Sequence, residues 1–229
     1  MFAKIPLPFN RKFGDNRRVM KHISALVIGF GLAICSHPLR ASIMSELPAA
    51  DKAMIEKGTN VATTIEKPGA VWPEVRIYRK VKATPQEVTD LFLDYEHANT
   101  FIANLESAKV EKEPDANTKD VRYSVKLPII FSIRYLVRNQ YEKTPDGYTV
   151  KWHLLEPPFA AKSAVGSLRV EAYGDISVIC YANHVEPSTK LIAGLRGHAI
   201  KEAEKTVNAI VKEAERRHVV DAAHRIELR

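Results

Sequence analysis

Lys82-Ala83-Thr84-Pro85-Gln86-Glu87-Val88, followed by Leu91-Phe92-Leu93-Asp94-Tyr95, is the stretch on which the fold turns. Thr84 is placed to accept from a free amide of a helix's first turn, and Pro85 suits the first helical position because it has no N–H to leave unpaired. Glu87, three residues on, completes a capping box by accepting from the Thr84 amide. Val88, Leu91 and Phe92 then give the helix one apolar side, and the helix is predicted to break near Asp94, with a second short one running to about Asn104. Upstream, residues 72–83 read as a strand. Val75, Ile77 and Val81 alternate with Arg76, Lys80 and Lys82, and Arg79 interrupts the apolar side as a bulge or an inward polar group.

Downstream the pattern changes to period two. Residues 105–113 form one predicted strand, closed by Pro114-Asp115-Ala116-Asn117. Val121, Tyr123 and Val125 alternate with Arg122, Ser124 and Lys126; Ile133, Tyr135, Val137 and Tyr141 alternate with Arg134, Arg138 and Gln140. After the Pro145-Asp146-Gly147 turn, Tyr148, Val150, Trp152 and Leu154 alternate with Thr149, Lys151 and His153. Residues 164–173 and 176–185 complete an antiparallel meander. A long helix is predicted over 188–218, its apolar stripe formed by Ile192, Leu195, Ala199, Ala203, Val207, Ile210 and Ala214. Residues 219–229 are expected to fray. Ahead of the first strand, 42–71 reads as a short helix at 49–57 closed by Gly58, then a connector or an added edge strand.

Charge separates the chain into two parts. The 229 residues carry 34 Lys and Arg against 27 Asp and Glu, a net +7. Seven of those bases and one of those acids lie in residues 1–41, leaving 27 against 26 in the rest. The remainder is too nearly neutral for a basic nucleic-acid-binding domain. Residues 10–22 are basic, 23–35 are apolar, and Ala41 is a small residue beyond them, the parts of a secretory signal. Thirteen apolar residues fall short of the roughly 20 that span a bilayer. Residues 1–41 are therefore expected to be a cleaved leader and the protein to be periplasmic. Met20 is an alternative start, and Cys35 a less fitting lipid-anchor site because Ile34 stands where a small residue is wanted. With Cys35 in the leader, Cys180 remains alone and no disulfide is expected.

A strand, two short helices, six strands and one long helix imply an α+β chain. A curved antiparallel sheet of six to seven strands must bury one face, and the long C-terminal helix is large enough to cover it. Small residues on that helix face large ones on the sheet, so the two either pack closely or leave an apolar space. At this point the run 77–104, with 101–110 as loop and following strand, resembles the opening of START-like, helix-grip domains, which include polyketide cyclase-like and coenzyme Q-binding proteins. Met54-Ile55-Glu56-Lys57-Gly58 is similar to the short helix before the domain in some exported members. The resemblance covers about 72–217 and implies a deep apolar cavity.

The expected ligand is a hydrophobic small molecule or lipid. Its expected contacts are Tyr123, Tyr135, Trp152, Leu154, Leu168, Val170 and Cys180 on the sheet and Leu195, Ala199 and Ala203 on the helix. Arg79 is the polar candidate, able to meet a carboxylate or headgroup. His198 and Glu202, four apart, are two ligands too few for a metal site. No nucleotide loop, zinc-protease helix or nucleophile elbow is present. No cofactor, metal or nucleic acid is expected; a monomer with transient membrane contact is. Two other readings stay open. A cyclase or dehydratase would use His184, Tyr135 or Arg79 as acid or base, and an interaction module would offer the groove to a protein. Gly194 and Gly197 serve either close packing or movement of the helix start.

Overall fold

The computed structural model describes residues 41–126 and 132–227; apart from Ala41, the predicted leader with Cys35 lies outside the described residues. Eight strands form one antiparallel sheet: β1 Val61–Ile65, β2 Glu74–Val81, β3 Leu105–Asp115, β4 Thr118–Lys126, β5 Ser132–Thr144, β6 Gly147–Glu156, β7 Ala161–Tyr173 and β8 Ile176–Pro187. Their order is β1-β2-β8-β7-β6-β5-β4-β3. The meander from β3 to β8 is closed by β2, which pairs with β8. The eighth strand is the connector's edge-strand alternative, with Val61 opposite Tyr78 and Ile65 opposite Glu74.

The helices are α1 Ala49–Glu56, α2 Pro85–Leu93, α3 Lys190–Ala193 and α4 Arg196–Glu227. Gly58 follows α1 at φ +80°, a conformation a side chain would strain. The capping box of α2 forms as its residues dictate: Glu87 N–H donates to Thr84 Oγ1 (3.3 Å) and Thr84 N–H donates to Glu87 Oε2 (2.8 Å). A 3-10 turn over Tyr95–Thr100 follows α2.

The predicted long helix is corrected at both ends. It is broken at Gly194 and Leu195, so α3 is a separate turn capped by Thr189 Oγ1, which accepts from Ile192 N–H. A Cβ on Gly197 would touch nothing within 4 Å, so this glycine does not serve close packing. At the other end α4 runs on to Glu227, past the predicted end at 218, because no Gly or Pro interrupts 198–227.

Of three buried clusters among the described residues, the two larger lie on opposite faces of the sheet. On one, Val207, Ile210, Val211 and Ala214 of α4 pack with Val88 and Leu91 of α2 against Ile77, Val81, Leu168, Val170 and Ile179. Complete burial of such side chains contributes about 1.5–3 kcal/mol each. On the other face, Ile43, Leu47 and Ile55 cover Tyr78, Val178 and Cys180. Arg169, 5% exposed, fastens that N-terminal cover: its guanidinium donates to Glu46, to Glu171 (2.6 Å) and to the Ala41 carbonyl (2.7 Å), while Glu171 accepts from Ile43 N–H.

Candidate functional site: a cavity between the sheet and the C-terminal helix

The face of the sheet gripped by α4 is filled along only part of its length. Around the middle of α4, from Val207 to Ala214, the packing is closed by the α2–α4 core. Toward the N-terminal half, a cavity of about 500 Å³ separates helix and sheet. That volume lies within the roughly 300–1,000 Å³ of small-molecule sites. Its exposed end is bordered by Asn104, Lys126, Leu195 and His198. Its inner end is bordered by the buried Leu91, Tyr95, Ala98, Val137, Asn139 and Ile210.

Polar contacts help tie the surrounding segments together. Trp72 Nε1 donates to the Ala193 carbonyl (2.9 Å), holding α3 to the connector before β2. Asn104, at φ +67°, places its Nδ2 3.5 Å from Glu202 Oε2 on α4. Asparagine tolerates this left-handed conformation better than most residues. A hydrogen bond from Lys205, against the cost of burial and with help from Lys205 and His198 charges, holds the Glu202 carboxyl below the usual range.

Aromatic rings form two walls. Tyr123 stacks on Tyr135 with centroids 5.5 Å apart, and Tyr95 meets Tyr123 edge-on at 6.5 Å. Across from them, Trp152 packs between Phe92 (5.7 Å) and Tyr181 (5.3 Å). Trp152 lies flat because residue 166 is glycine: a Cβ there would fall 2.4 Å from the indole. Burial pushes the Tyr135 phenol up to about 12 and raises Tyr95, Tyr123 and Tyr181 as well, so all four stay protonated at neutral pH. The Tyr95 hydroxyl is buried with no hydrogen-bond partner.

Of the predicted contacts, Tyr123, Tyr135, Trp152, Leu154, Leu195 and Ala199 line the cavity. Five do not. Leu168 and Val170 are on the gripped face but lie where α4 packs tightly, leaving no space above them. Ala203 borders a separate recess of about 30 Å³ beside Trp72. Cys180 faces the opposite side of the sheet, among Ile43, Ile55 and Tyr78, where burial pushes its thiol up to about 11. Strand β8 is apolar on both faces there, so alternation does not reveal which face holds the cavity. Arg79 does point toward α4, but its Nη1 donates to Asn60 (2.7 Å) and Asn208 (2.6 Å), and it does not line the cavity.

His184 is likewise held outside, its Nε2 3.1 Å from the Trp72 carbonyl. His198 and Glu202 border the cavity, and among the described residues no cluster of three metal-ligating side chains occurs. Sequence reasoning missed Tyr95, Asn139, Tyr181 and Asn183 as lining residues. For two of them a signal existed: Asn139 and Asn183 are polar residues at inward-facing positions, on β5 and β8.

No family model and no curated protein matches the chain. Solved structures do. A STAR-related lipid transfer protein fragment from Xanthomonas axonopodis is 14% identical at a TM-score of 0.61, covering 68% of this chain and 93% of that one. The human StarD13 lipid transfer and protein localization domain is 16% identical at 0.51, covering 75% and 98%. The Zhui aromatase/cyclase from Streptomyces sp. R1128 is 17% identical at 0.51, covering 63% and 94%. These matches, together with this chain's single antiparallel sheet and long terminal helix, show that it has the START-like, helix-grip fold.

Proposed function

We propose that the protein binds and carries a hydrophobic small molecule in the cavity between the sheet and α4. The observation that carries this reading is the cavity itself: about 500 Å³ left open between well-packed cores and walled by aromatic and aliphatic side chains. A cavity that size in a domain core loses dispersion contacts, and a bound apolar molecule restores them. Lipid transfer proteins and an aromatase/cyclase share the fold, which supports an apolar ligand without choosing among ligands. Catalysis is not required by the lining. Its phenols are held protonated as donors, and Arg79 and His184 are engaged elsewhere.

The test is organic extraction and mass spectrometry of the purified protein, followed by titration with the apolar dye N-phenyl-1-naphthylamine. Ala199→Trp, which places an indole in the cavity, is expected to weaken dye binding about tenfold, some 1.4 kcal/mol. An unchanged affinity in that variant, or no dye binding by the parent, would refute the reading. Turnover of the extracted compound would instead favour the cyclase reading.

We further propose export to the periplasm and transient membrane contact by a monomer. Phe159 (56% exposed) lies beside the start of α3, where Ser188 N–H donates to the Ala160 carbonyl, and Leu191 (82% exposed) is on α3 itself. These apolar groups border the segment that closes the cavity. Fusing residues 1–41 to an alkaline phosphatase tests export, and vesicle co-sedimentation of Phe159→Ser/Leu191→Ser tests contact.

A further inference from the structure

We infer that cleavage of the chain after Ala41 creates a structural cation: the new Ser42 ammonium completes the ion cluster that fastens the N-terminal cover to the sheet face opposite the cavity. This inference goes beyond ligand binding and rests, among the readings above, on export alone. The cluster holds two carboxylates and one guanidinium. Arg169 Nη1 donates to Glu46 and Nη2 to Glu171 (2.6 Å), and the three side chains are 6%, 24% and 13% exposed in that order. Among the described residues no other cation pairs with either acid. Arg76, whose charge also reaches Cys180 beside the cluster, is paired with Glu74 (2.6 Å). The cluster therefore carries one negative charge in excess, in a place where water screens it poorly.

The end of the predicted leader meets this cluster. Ile43, fully buried, donates its N–H to Glu171 Oε2 (2.7 Å), and Arg169 Nη2 donates to the Ala41 carbonyl (2.7 Å). Between those contacts lies the Ser42 nitrogen, one residue from the Ile43 nitrogen and so within about 6 Å of the Glu171 carboxylate. In the unprocessed chain it is a neutral amide. Hydrolysis of the Ala41–Ser42 bond takes up one water, removes Ala41 as the carboxylate end of the leader and leaves Ser42 with an ammonium. Arg169 gives up the Ala41 carbonyl and keeps both carboxylates, and the cluster becomes two cations against two anions. The Ser42 carbonyl, which accepts from the Ser45 and Glu46 amides and so holds the 3-10 turn Ile43–Glu46, is untouched. The charged groups facing the new amine are Glu46 from that turn and Arg169 and Glu171 from β7; the cover also packs on Tyr78 of β2 and Cys180 of β8, which burial keeps neutral at pH 7. An amine facing a net negative charge holds its proton more tightly than in the unfolded chain, where it is lost near about 7.7–8.0. Its stabilisation is complete below that value and fades as the pH rises past it.

A chain of residues 42–229, released from a fusion by a protease that leaves Ser42 first, carries this ammonium. Brief periodate treatment converts an N-terminal serine to an uncharged glyoxylyl group and leaves the residue 42 carbonyl in place. At pH 6.5 the ammonium form is expected to melt about 2–4 °C higher than the treated form, with the gap closing by about pH 10. The gap should shrink in Glu171→Gln and in Glu46→Gln, the second variant altering the more exposed acid. Equal melting of the two forms at pH 6.5, or a gap that persists undiminished at pH 10 or in both variants, overturns the inference. N-terminal sequencing of the periplasmic product of the full chain, expressed with its leader, separates this from export. Ser42 is expected first. Another first residue overturns the inference and leaves export standing, while recovery of unprocessed chain alone overturns both.

Discussion

Gly166→Ala offers a direct test of how the cavity wall is built. The added Cβ would meet the Trp152 indole at 2.4 Å, well inside van der Waals contact, with Cε2, Cζ2 and Nε1 all within 2.5 Å. The backbone at β7 is fixed by ladders to β6 and β8, which pair Gly166 with Trp152 and Asn183, so the indole must give way. It is hemmed by Phe92 and Tyr181 and can move only into the cavity, breaking its 3.4 Å hydrogen bond to Asn183. Overpacking of this kind costs about 1–3 kcal/mol. A domain this size loses roughly 2–4 °C of Tm per kcal/mol, so a fall of about 2–12 °C is expected. Alanine in place of strand glycine otherwise gains roughly 0.5–1 kcal/mol. In a Trp152→Leu background, where the clash is gone, Gly166→Ala should therefore be neutral or stabilising. Thermal melts of the four proteins give the coupling, expected at about 1.5–4 kcal/mol from these two ranges. Dye titration should show weaker binding in Gly166→Ala alone. The same destabilisation in both backgrounds would refute the claim that the glycine exists to seat the indole.

Three further outcomes follow from charge and burial. Arg169→Met leaves the Glu46 and Glu171 carboxylates under the N-terminal cover without their cation, and should cost about 3–5 kcal/mol by denaturant unfolding; a loss below about 1 kcal/mol would show the ion pairs to be incidental. Hydrogen bonds from Arg216, opposed by burial and reinforced by Arg217, hold the Glu213 carboxyl at about 2, and Arg217 also bridges α4 to Asp94 beyond α2. A carboxyl depressed on folding stabilises above its unfolded value near 4.5 and loses that contribution as pH falls toward 2. Melting temperature should therefore drop across that window, and less steeply in Arg217→Ala. The Cys180 thiol, pushed up to about 11 by burial, should resist iodoacetamide at pH 8 in the native protein and react only with denaturant, as site-resolved mass spectrometry would show.

Local signals carried most of the fold. The Thr84–Glu87 box, the Pro145-Asp146-Gly147 turn and the alternation in β4 to β6 each depend on near neighbours in the chain, and each reappears in the structure. The site was legible where a strand is apolar on one face alone. Tyr123, Tyr135, Trp152 and Leu154 follow from alternation, and Asn139 could have followed as a polar residue at an inward position. Alternation failed on β8, since residues 43–56 bury its second face as α4 buries the first, and Cys180 was assigned to the wrong side.

By itself the sequence determined the element order, the helix-grip class and the small-residue stripe on the covering helix, because period, capping and turn chemistry are local properties. It could not determine where along that stripe the helix would touch the sheet. Ala214 packs tightly and Ala199 borders open space, although both are alanines on one face of one helix. That difference is set by the docking of α2 against one half of α4, by the break at Gly194 and by the anchoring of α3 through Trp72. These are contacts between segments remote in the chain, so only tertiary packing decided which part of the gripped face became core and which became cavity.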